Sequence, residues 1–392
     1  MSDPFGKEDL KGFLQFRSEH TGRFGTDLVM KYATQVRKKA WAHALLSEQK
    51  LLSKLPKSWF DKGFFCPTTK AAEQCSSWPT AQWKARLAEG YSVVHDLTGG
   101  LGIDSLAFSH RVKKVHYREP EAELCTRAER NFRRLGRSQI ECANEAAESF
   151  LEQAFHSGEL VYIDPDRRVG FGGQRSSLSR MQPDWAFIYQ LMGKGWPLLL
   201  KLSPLQDLTD LIQSTSGKRT ICVLESKGEC KEVLLFCQNA GAQAENVSIV
   251  LADVQQKWST QKLHVDELNT SCWEYGWSHT GFLLDPSPAF RKAKAWTFLE
   301  EKYKLRKIAP QTHLFHSEHS IPGFPGRQFR IRSALDKSRL PGAASVICRN
   351  HFESAAQLRK KWKLKESEEV FLVAFRDEGG KGVVLACEKG IH

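Results

Sequence analysis

The chain has 392 residues, 41% hydrophobic and 26% charged, a globular composition on a chain too long for one ordinary core. No apolar run reaches the roughly 18–20 residues of a membrane span, no apolar leader opens the chain, and the ten cysteines include no C-x-x-C pair of a zinc ribbon or redox motif. The default expectation is therefore a cytoplasmic protein without a membrane segment or a metal. The formal charge of +12 favours a polyanionic partner, nucleic acid first, although a solubilising surface explains charge alone as well.

Residues 1–90 read as a helical N-terminal domain. Leu28, Tyr32, Val36, Trp41 and Leu45-Leu46 recur at helical spacing through Asp27–Lys50, and Pro56, Pro67 and Pro79 punctuate the next segment. From Tyr91 the texture changes. Short apolar runs at Ser92–His95, Val112–Tyr117, Gln139–Cys142, Leu160–Ile163, Pro197–Lys201 and Thr220–Leu224 alternate with helical patterns such as Glu121–Leu135 and Glu145–Phe155. That alternation predicts an α/β domain over residues 91–262 with a parallel, doubly wound, Rossmann-like sheet. Lys231–Cys237 reads either as a helix or as the second strand of a hairpin, and Val247–Ala252 as a further strand. Residues 263–392 read as a small α+β domain: one helix over Ala289–Leu305, strands at Val346–Arg349, Val370–Phe375 and Val383–Cys387, and a helix at Ser354–Trp362.

The first chemical signal is Val93-Val94-His95-Asp96 followed by Leu97-Thr98-Gly99-Gly100-Leu101-Gly102. Glycines let a strand-to-helix turn bend sharply and approach a ligand. The third glycine of a dinucleotide fingerprint is missing, because Ile103-Asp104-Ser105 follows Gly102. Asp96 stands ahead of the glycines instead. A carboxylate there repels a pyrophosphate and attracts the ammonium of S-adenosylmethionine. The spacing D-x-x-x-G-x-G is that of methyltransferase motif I, with Asp96, Thr98, Gly100 and Gly102 as cofactor-binding candidates.

Glu119 ends the next strand 23 residues on, the distance expected for a carboxylate that accepts both ribose hydroxyls. Asn144-Glu145 follows the third strand, where a polar side chain meets an adenine amino group. The fourth strand leads into Asp164-Pro165-Asp166-Arg167-Arg168, beyond the carboxyl edge where ligands bind in doubly wound sheets. Asp164-Pro165 resembles the Asp/Asn-Pro-Pro-aromatic motif of amino-methyltransferases, in which the acid or amide and a backbone carbonyl hold the target amino group. Asp166 and Arg167 replace the second proline and the aromatic, which leaves base stacking unassigned. Arg167, Arg168, Arg175 and Arg180, around Gly172-Gly173, form a basic loop that pairs either with substrate phosphate or with the neighbouring aspartates.

These blocks together resemble a family of class I methyltransferases that carry a C-terminal THUMP-like domain. The resemblance rests on Glu73-Gln74-Cys75-Ser76-Ser77, Thr80-Ala81-Gln82-Trp83-Lys84-Ala85, the Asp96–Ser105 turn, Asp164-Pro165 with Arg167-Arg168, Lys201-Leu202-Ser203-Pro204 with Asp207, and Gly228–Glu232. It implies an S-adenosylmethionine-dependent enzyme with Gln74 and Ser76 near the cofactor. It further implies an RNA-like substrate but no defined reaction; Asp164 and Pro165 are the expected catalytic positions from the motif they resemble, with Arg167, Arg168 and Lys201 expected to face the substrate. Taken with Asp164-Pro165, the expected reaction is methylation of a base amino group in structured RNA such as rRNA or tRNA. The alternative is a non-catalytic RNA-binding protein on a degenerate methyltransferase fold.

Basic residues with aromatics recur from Arg291 to Lys307 along the expected helix, again at Gly326-Arg327-Gln328-Phe329-Arg330, and at Arg359-Lys360-Lys361-Trp362-Lys363. They suit RNA and suit a solvated helix face equally. His313, His316 and His319 have metal-like spacing but no carboxylate or cysteine to complete a site, so no metal is expected.

Overall fold

The computed structural model describes residues 7–20, 26–66, 68–167, 181–239, 246–255, 260–268, 275–336 and 338–390. The chain divides into two compact units, and the division runs through one long hairpin and the strand after it: Val223–Lys231, Ser248–Asp253 and the chain from Lys257 onward belong to the second unit, the rest to the first.

The larger sheet includes β1 (Val93–Asp96), β2 (Lys114–Arg118), β3 (Ile140–Ala143), β4 (Glu159–Ile163), β5 (Leu198–Leu202), β6 (Lys218–Ser226) and β7 (Glu229–Asn239), in the spatial order β3-β2-β1-β4-β5-β7-β6; β1 to β5 lie wholly in the first unit. β1 to β5 are parallel and β7 runs antiparallel to β5. Lys231–Cys237 is thus a strand, the second arm of the hairpin, not a helix. Its residues Val233 to Cys237 are all buried, as a central strand covered on both faces requires. The chain winds outward from β1 through β2 to β3 and returns to β4 on the other side of β1, so the switch point lies between β1 and β4. Ligands bind beyond the carboxyl edge at such a point, and Asp96 and Asp164 stand there. The fold class expected from the sequence is the one the chain forms.

Residues 1–90 lie in this same unit as short helices, among them Lys7–Glu19, Thr26–Lys31, Val36–Leu51 and Trp78–Ala85. Phe13, Phe16, Trp41, Leu45 and Phe65 form their core. Asn131, on the helix Ala122–Arg134, anchors them: its amide oxygen accepts from Phe65 N at 3.0 Å and its amide nitrogen donates to Phe65 O at 2.8 Å. The expected helix over Glu145–Phe155 shrinks to a 3-10 turn at Ala147–Glu152.

The second unit holds a seven-stranded sheet in the order Arg306–Ala309, Thr312–Ser317, Phe282–Pro286, Gly326–Ala334, Gly382–Lys389, Val370–Arg376, Ser345–Arg349. Four of these strands, from Phe282 to Ala334, depart from the sequence expectation; their polarity is irregular, and Pro310, Pro322 and Pro325 lie between them rather than within them. The single helix expected over Ala289–Leu305 is two, Pro288–Ala293 and Trp296–Tyr303. Lys294 adopts the left-handed conformation at φ 53° and ends the first, and Lys304 at φ 53° ends the second. Lys307 is not on a helix face at all: it is buried on its strand, its ammonium 5.0 Å from the Trp296 ring centre. Asp285, fully buried, receives Arg291 at 2.9 Å, Arg327 at 2.6 Å and Arg349 at 2.8 Å. Of the basic clusters, Arg330 and Arg332 meet Glu388, Arg359 meets Glu366, and Lys361 meets Glu353. Among the described residues, no helix is long and apolar enough to cross a membrane.

Candidate active site

The turn after β1 is built from its own side chains. Asp96 is 1% exposed. One carboxylate oxygen accepts from Ser105 Oγ at 2.6 Å and the other from Thr98 N at 3.2 Å. Strand end, turn and first helical turn are thereby tied through one carboxylate. Burial pushes this carboxyl up to about 7, against the partial pull of the Ser105 and Thr98 hydrogen bonds. Asp96 therefore shapes the turn from inside rather than lining its surface.

Each glycine here has a different reason. A Cβ on Gly99 would stand 2.1 Å from the Tyr117 ring, and one on Gly102, at φ +80°, 2.3 Å from the Phe132 ring. These two let the turn pack down on the sheet and its helix. Gly100, at φ +54°, is different: among the described residues its Cβ would meet nothing closer than Thr98 O at 3.9 Å.

Both neighbouring strand ends are bonded to this turn. Glu119 Oε2 accepts from Gly100 N at 2.9 Å, its other oxygen accepts from Glu121 N at 2.9 Å, and Tyr117 OH donates to Gly100 O at 2.6 Å. Burial raises the Glu119 carboxyl even so. On the other side, Thr98 Oγ1 accepts from Asp164 N at 2.6 Å. Asp164 in turn takes the Lys201 ammonium at 2.5 Å. Burial raises the Asp164 carboxyl, and Lys201 offsets that only in part. Burial pulls the Lys201 ammonium down, but Asp164, Glu232 and Asp104 outweigh it and the ammonium ends raised, so it is charged at neutral pH.

The remaining candidates separate. Ser76 is buried beneath the turn. Its hydroxyl donates to Asp104 Oδ2 at 2.9 Å and accepts from Lys84 Nζ at 2.7 Å. Gln74 ends the helix Thr69–Gln74, exposed. Asn144 uses its amide hydrogens on Glu119 O at 2.8 Å and Pro120 O at 3.0 Å, which fixes the loop after β2. Glu145 pairs with Arg118 at 3.2 Å. Pro165 is buried, and the backbone of Asp166-Arg167 pairs with Met181-Gln182 in a small antiparallel ribbon. Arg168, Gly172, Gly173, Arg175 and Arg180 lie outside the described residues.

One cluster escaped the sequence reading. Lys84, fully buried, stands 2.9 Å from Asp104 and 3.0 Å from Glu232. Tyr162 OH donates to the same Asp104 at 2.8 Å. Lys84 and Lys201 thus share a neighbourhood with Asp104, Asp164 and Glu232. A signal existed for each lysine. Lys84 shares the buried helix face of Thr80, Ala81 and Ala85, and Lys201 interrupts Leu198-Leu199-Leu200-Lys201-Leu202. A lone cation where a core residue belongs needs a buried partner.

Residues 282–325 match a ferredoxin-like domain family, and residues 324–389 match a family described as THUMP domain-like. Among curated proteins, none matches the chain. Of solved structures, a proposed methyltransferase from Porphyromonas gingivalis W83 is similar over 99% of this chain and 100% of its own, with a TM-score of 0.84 and 24% identity. That likeness shows the fold over the whole length. A proposed methyltransferase from Streptococcus mutans, solved with SAH, is similar over 40% of this chain and 94% of its own, with a TM-score of 0.31 and 10% identity. An rRNA methylase from Streptococcus thermophilus covers 40% of this chain and 92% of its own, with a TM-score of 0.30 and 12% identity. The last two are too distant to bear on this chain. The fold is a methyltransferase fold, with a THUMP-like segment in its C-terminal part.

Proposed function

We propose that the chain is an S-adenosylmethionine-dependent methyltransferase acting on RNA. The observation that carries this reading is that a single glycine turn is hydrogen-bonded to both flanking strand ends: Gly100 N to Glu119 and Thr98 Oγ1 to Asp164 N. The turn thereby links Glu119, the residue proposed to accept the ribose hydroxyls, and Asp164, the carboxylate proposed to serve the reaction, on either side of Gly100. The donor set fits the cofactor. Glu119 keeps lone pairs for two ribose hydroxyls. Gly100 leaves space beside the turn. The surplus of carboxylate over ammonium at this edge favours a sulfonium cation. S-adenosylmethionine supplies an electrophilic methyl group there. Asp96, Ser105 and Tyr117 hold the turn in the shape that receives it.

RNA as substrate is supported by the +12 charge and by the THUMP domain-like match. Asp164-Pro165 favoured a base amino group as acceptor, and the Lys201 ammonium on Asp164 bears directly on that choice. Calorimetric titration with S-adenosylhomocysteine tests cofactor binding: the wild type binds and Glu119→Ala loses at least about tenfold in affinity, roughly one good hydrogen-bonded contact. No heat with the wild type, or equal affinity for the variant, overturns the reading. RNA retention without methyl transfer from labelled cofactor would instead favour a non-catalytic RNA-binding protein.

A further inference from the structure

The accessible part of the buried charge cluster is the Asp164–Lys201 pair, whose side chains are 33% and 12% exposed. Behind it lie Lys84, Asp104 and Glu232, brought from the helix Trp78–Ala85, the helix Ile103–Phe108 and β7. Fully apolar packing would serve a purely structural purpose as well or better. The arrangement calls for a chemical use.

The sign of the charge discriminates between acceptors. An amino nitrogen gains positive charge as it attacks a methyl group, and a neighbouring ammonium opposes that. A hydroxyl oxygen gains negative charge as its proton leaves, and the same ammonium stabilises it. The residues after Pro165 point the same way. Asp166 and Arg167 supply no aromatic ring to stack a flat base, and a ribose needs none.

We infer that the acceptor is a ribose hydroxyl of RNA, with Asp164 taking its proton and the Lys201 ammonium facing the oxygen. This rests on the proposed RNA methyltransferase reading. The O–H bond breaks and its proton goes to the Asp164 carboxylate. The oxygen lone pair forms the new O–CH3 bond to the methyl of S-adenosylmethionine. The S–CH3 electron pair stays on sulfur, leaving S-adenosylhomocysteine. Asp164 and Lys201 are the catalytic pair; Lys84 and Glu232 are positioning residues that act through it.

The test is to methylate total RNA with methyl-labelled S-adenosylmethionine and hydrolyse it in alkali. A methyl on the 2′ oxygen blocks cleavage, so the expected label is in alkali-resistant dinucleotides. Label in mononucleotides means base methylation and overturns this inference while the RNA reading stands. Label absent from RNA overturns both. Lys201→Met is expected to bind S-adenosylhomocysteine within about twofold of wild type by calorimetry, which also shows that it folds, and to lose about 100-fold or more in transfer. Full transfer by that variant overturns the role of Lys201. Glu232→Gln is expected to lower kcat with the KM for RNA unchanged; an unchanged kcat overturns its positioning role.

Discussion

Replacing Lys84 by methionine removes a cation that Asp104 and Glu232 both touch, at 2.9 and 3.0 Å. At an effective dielectric of about 20, each contact is worth roughly 6 kcal/mol before the desolvation of the ions is subtracted. Breaking a buried pair by deleting one partner typically costs about 3–5 kcal/mol, because the charge left behind is uncompensated. The Lys201 ammonium still attracts Asp104 and Glu232, so the lower end, about 3 kcal/mol, is the expected loss at pH 7.5. For a domain of this size that lowers the melting transition by about 6–12 °C.

The pH dependence has a definite sign. In the wild type, burial raises the Asp104 carboxyl but Lys84 and Lys201 outweigh it, and it ends below its usual range. Its stabilisation is therefore present above the unfolded value near 4 and is lost as pH falls through the folded one. In the variant, burial dominates and the Asp104 carboxyl rises above the unfolded value, so the penalty is full at neutral pH and shrinks as pH falls toward 4. Urea denaturation of both proteins at pH 7.5 and 4.5 measures the difference. A loss under about 1 kcal/mol at pH 7.5, or a difference that does not narrow at pH 4.5, refutes the argument. Lys84→Met with Glu232→Gln recovers part of the loss.

Asp96, raised to about 7 by burial, stabilises the fold most below the unfolded value near 4 and loses that contribution as pH rises through 7. Asp96→Asn is expected to flatten the fall of the urea midpoint over that range, and an unchanged slope counts against it. Gly102→Ala places a methyl 2.3 Å from Phe132 at φ +80° and is expected to cost about 2–4 kcal/mol in denaturant titrations. Gly100→Ala, which meets open space, costs only about 1–2 kcal/mol yet weakens S-adenosylhomocysteine binding; equal stability losses for the two variants would contradict the division of roles. Asp285→Asn strips three guanidiniums of their shared carboxylate and is expected to cost about 3–5 kcal/mol, seen as an earlier unfolding transition than that of the wild type; an unshifted transition contradicts it.

The strand–helix alternation from residue 91 onward was legible because each central strand is buried on both faces and reads as an unbroken apolar run, Leu160 to Ile163 being the plainest. The carboxylates Asp96, Glu119 and Asp164 were legible for a related reason: ligands of such sheets bind at the carboxyl edge, and strand ends can be counted along the chain. The C-terminal unit was read less well. Its strands Phe282–Pro286, Thr312–Ser317 and Gly326–Ala334 lack the clean alternation of a half-buried strand, and the helix breaks at Lys294 and Lys304 carry no glycine to mark them.

Local pattern alone determined the doubly wound sheet, the glycine turn and which strand ends bear acids. Only tertiary structure decided what those acids touch. Asp96 turned inward to hold Ser105, Ser76 went into a buried charge cluster, and Lys84, Asp104, Lys201 and Glu232, as much as 148 positions apart along the chain, came together beside Asp164. Periodicity reports which face of one element is buried. Pairing of charges between elements depends on their order in space, and that is set by the sheet's topology.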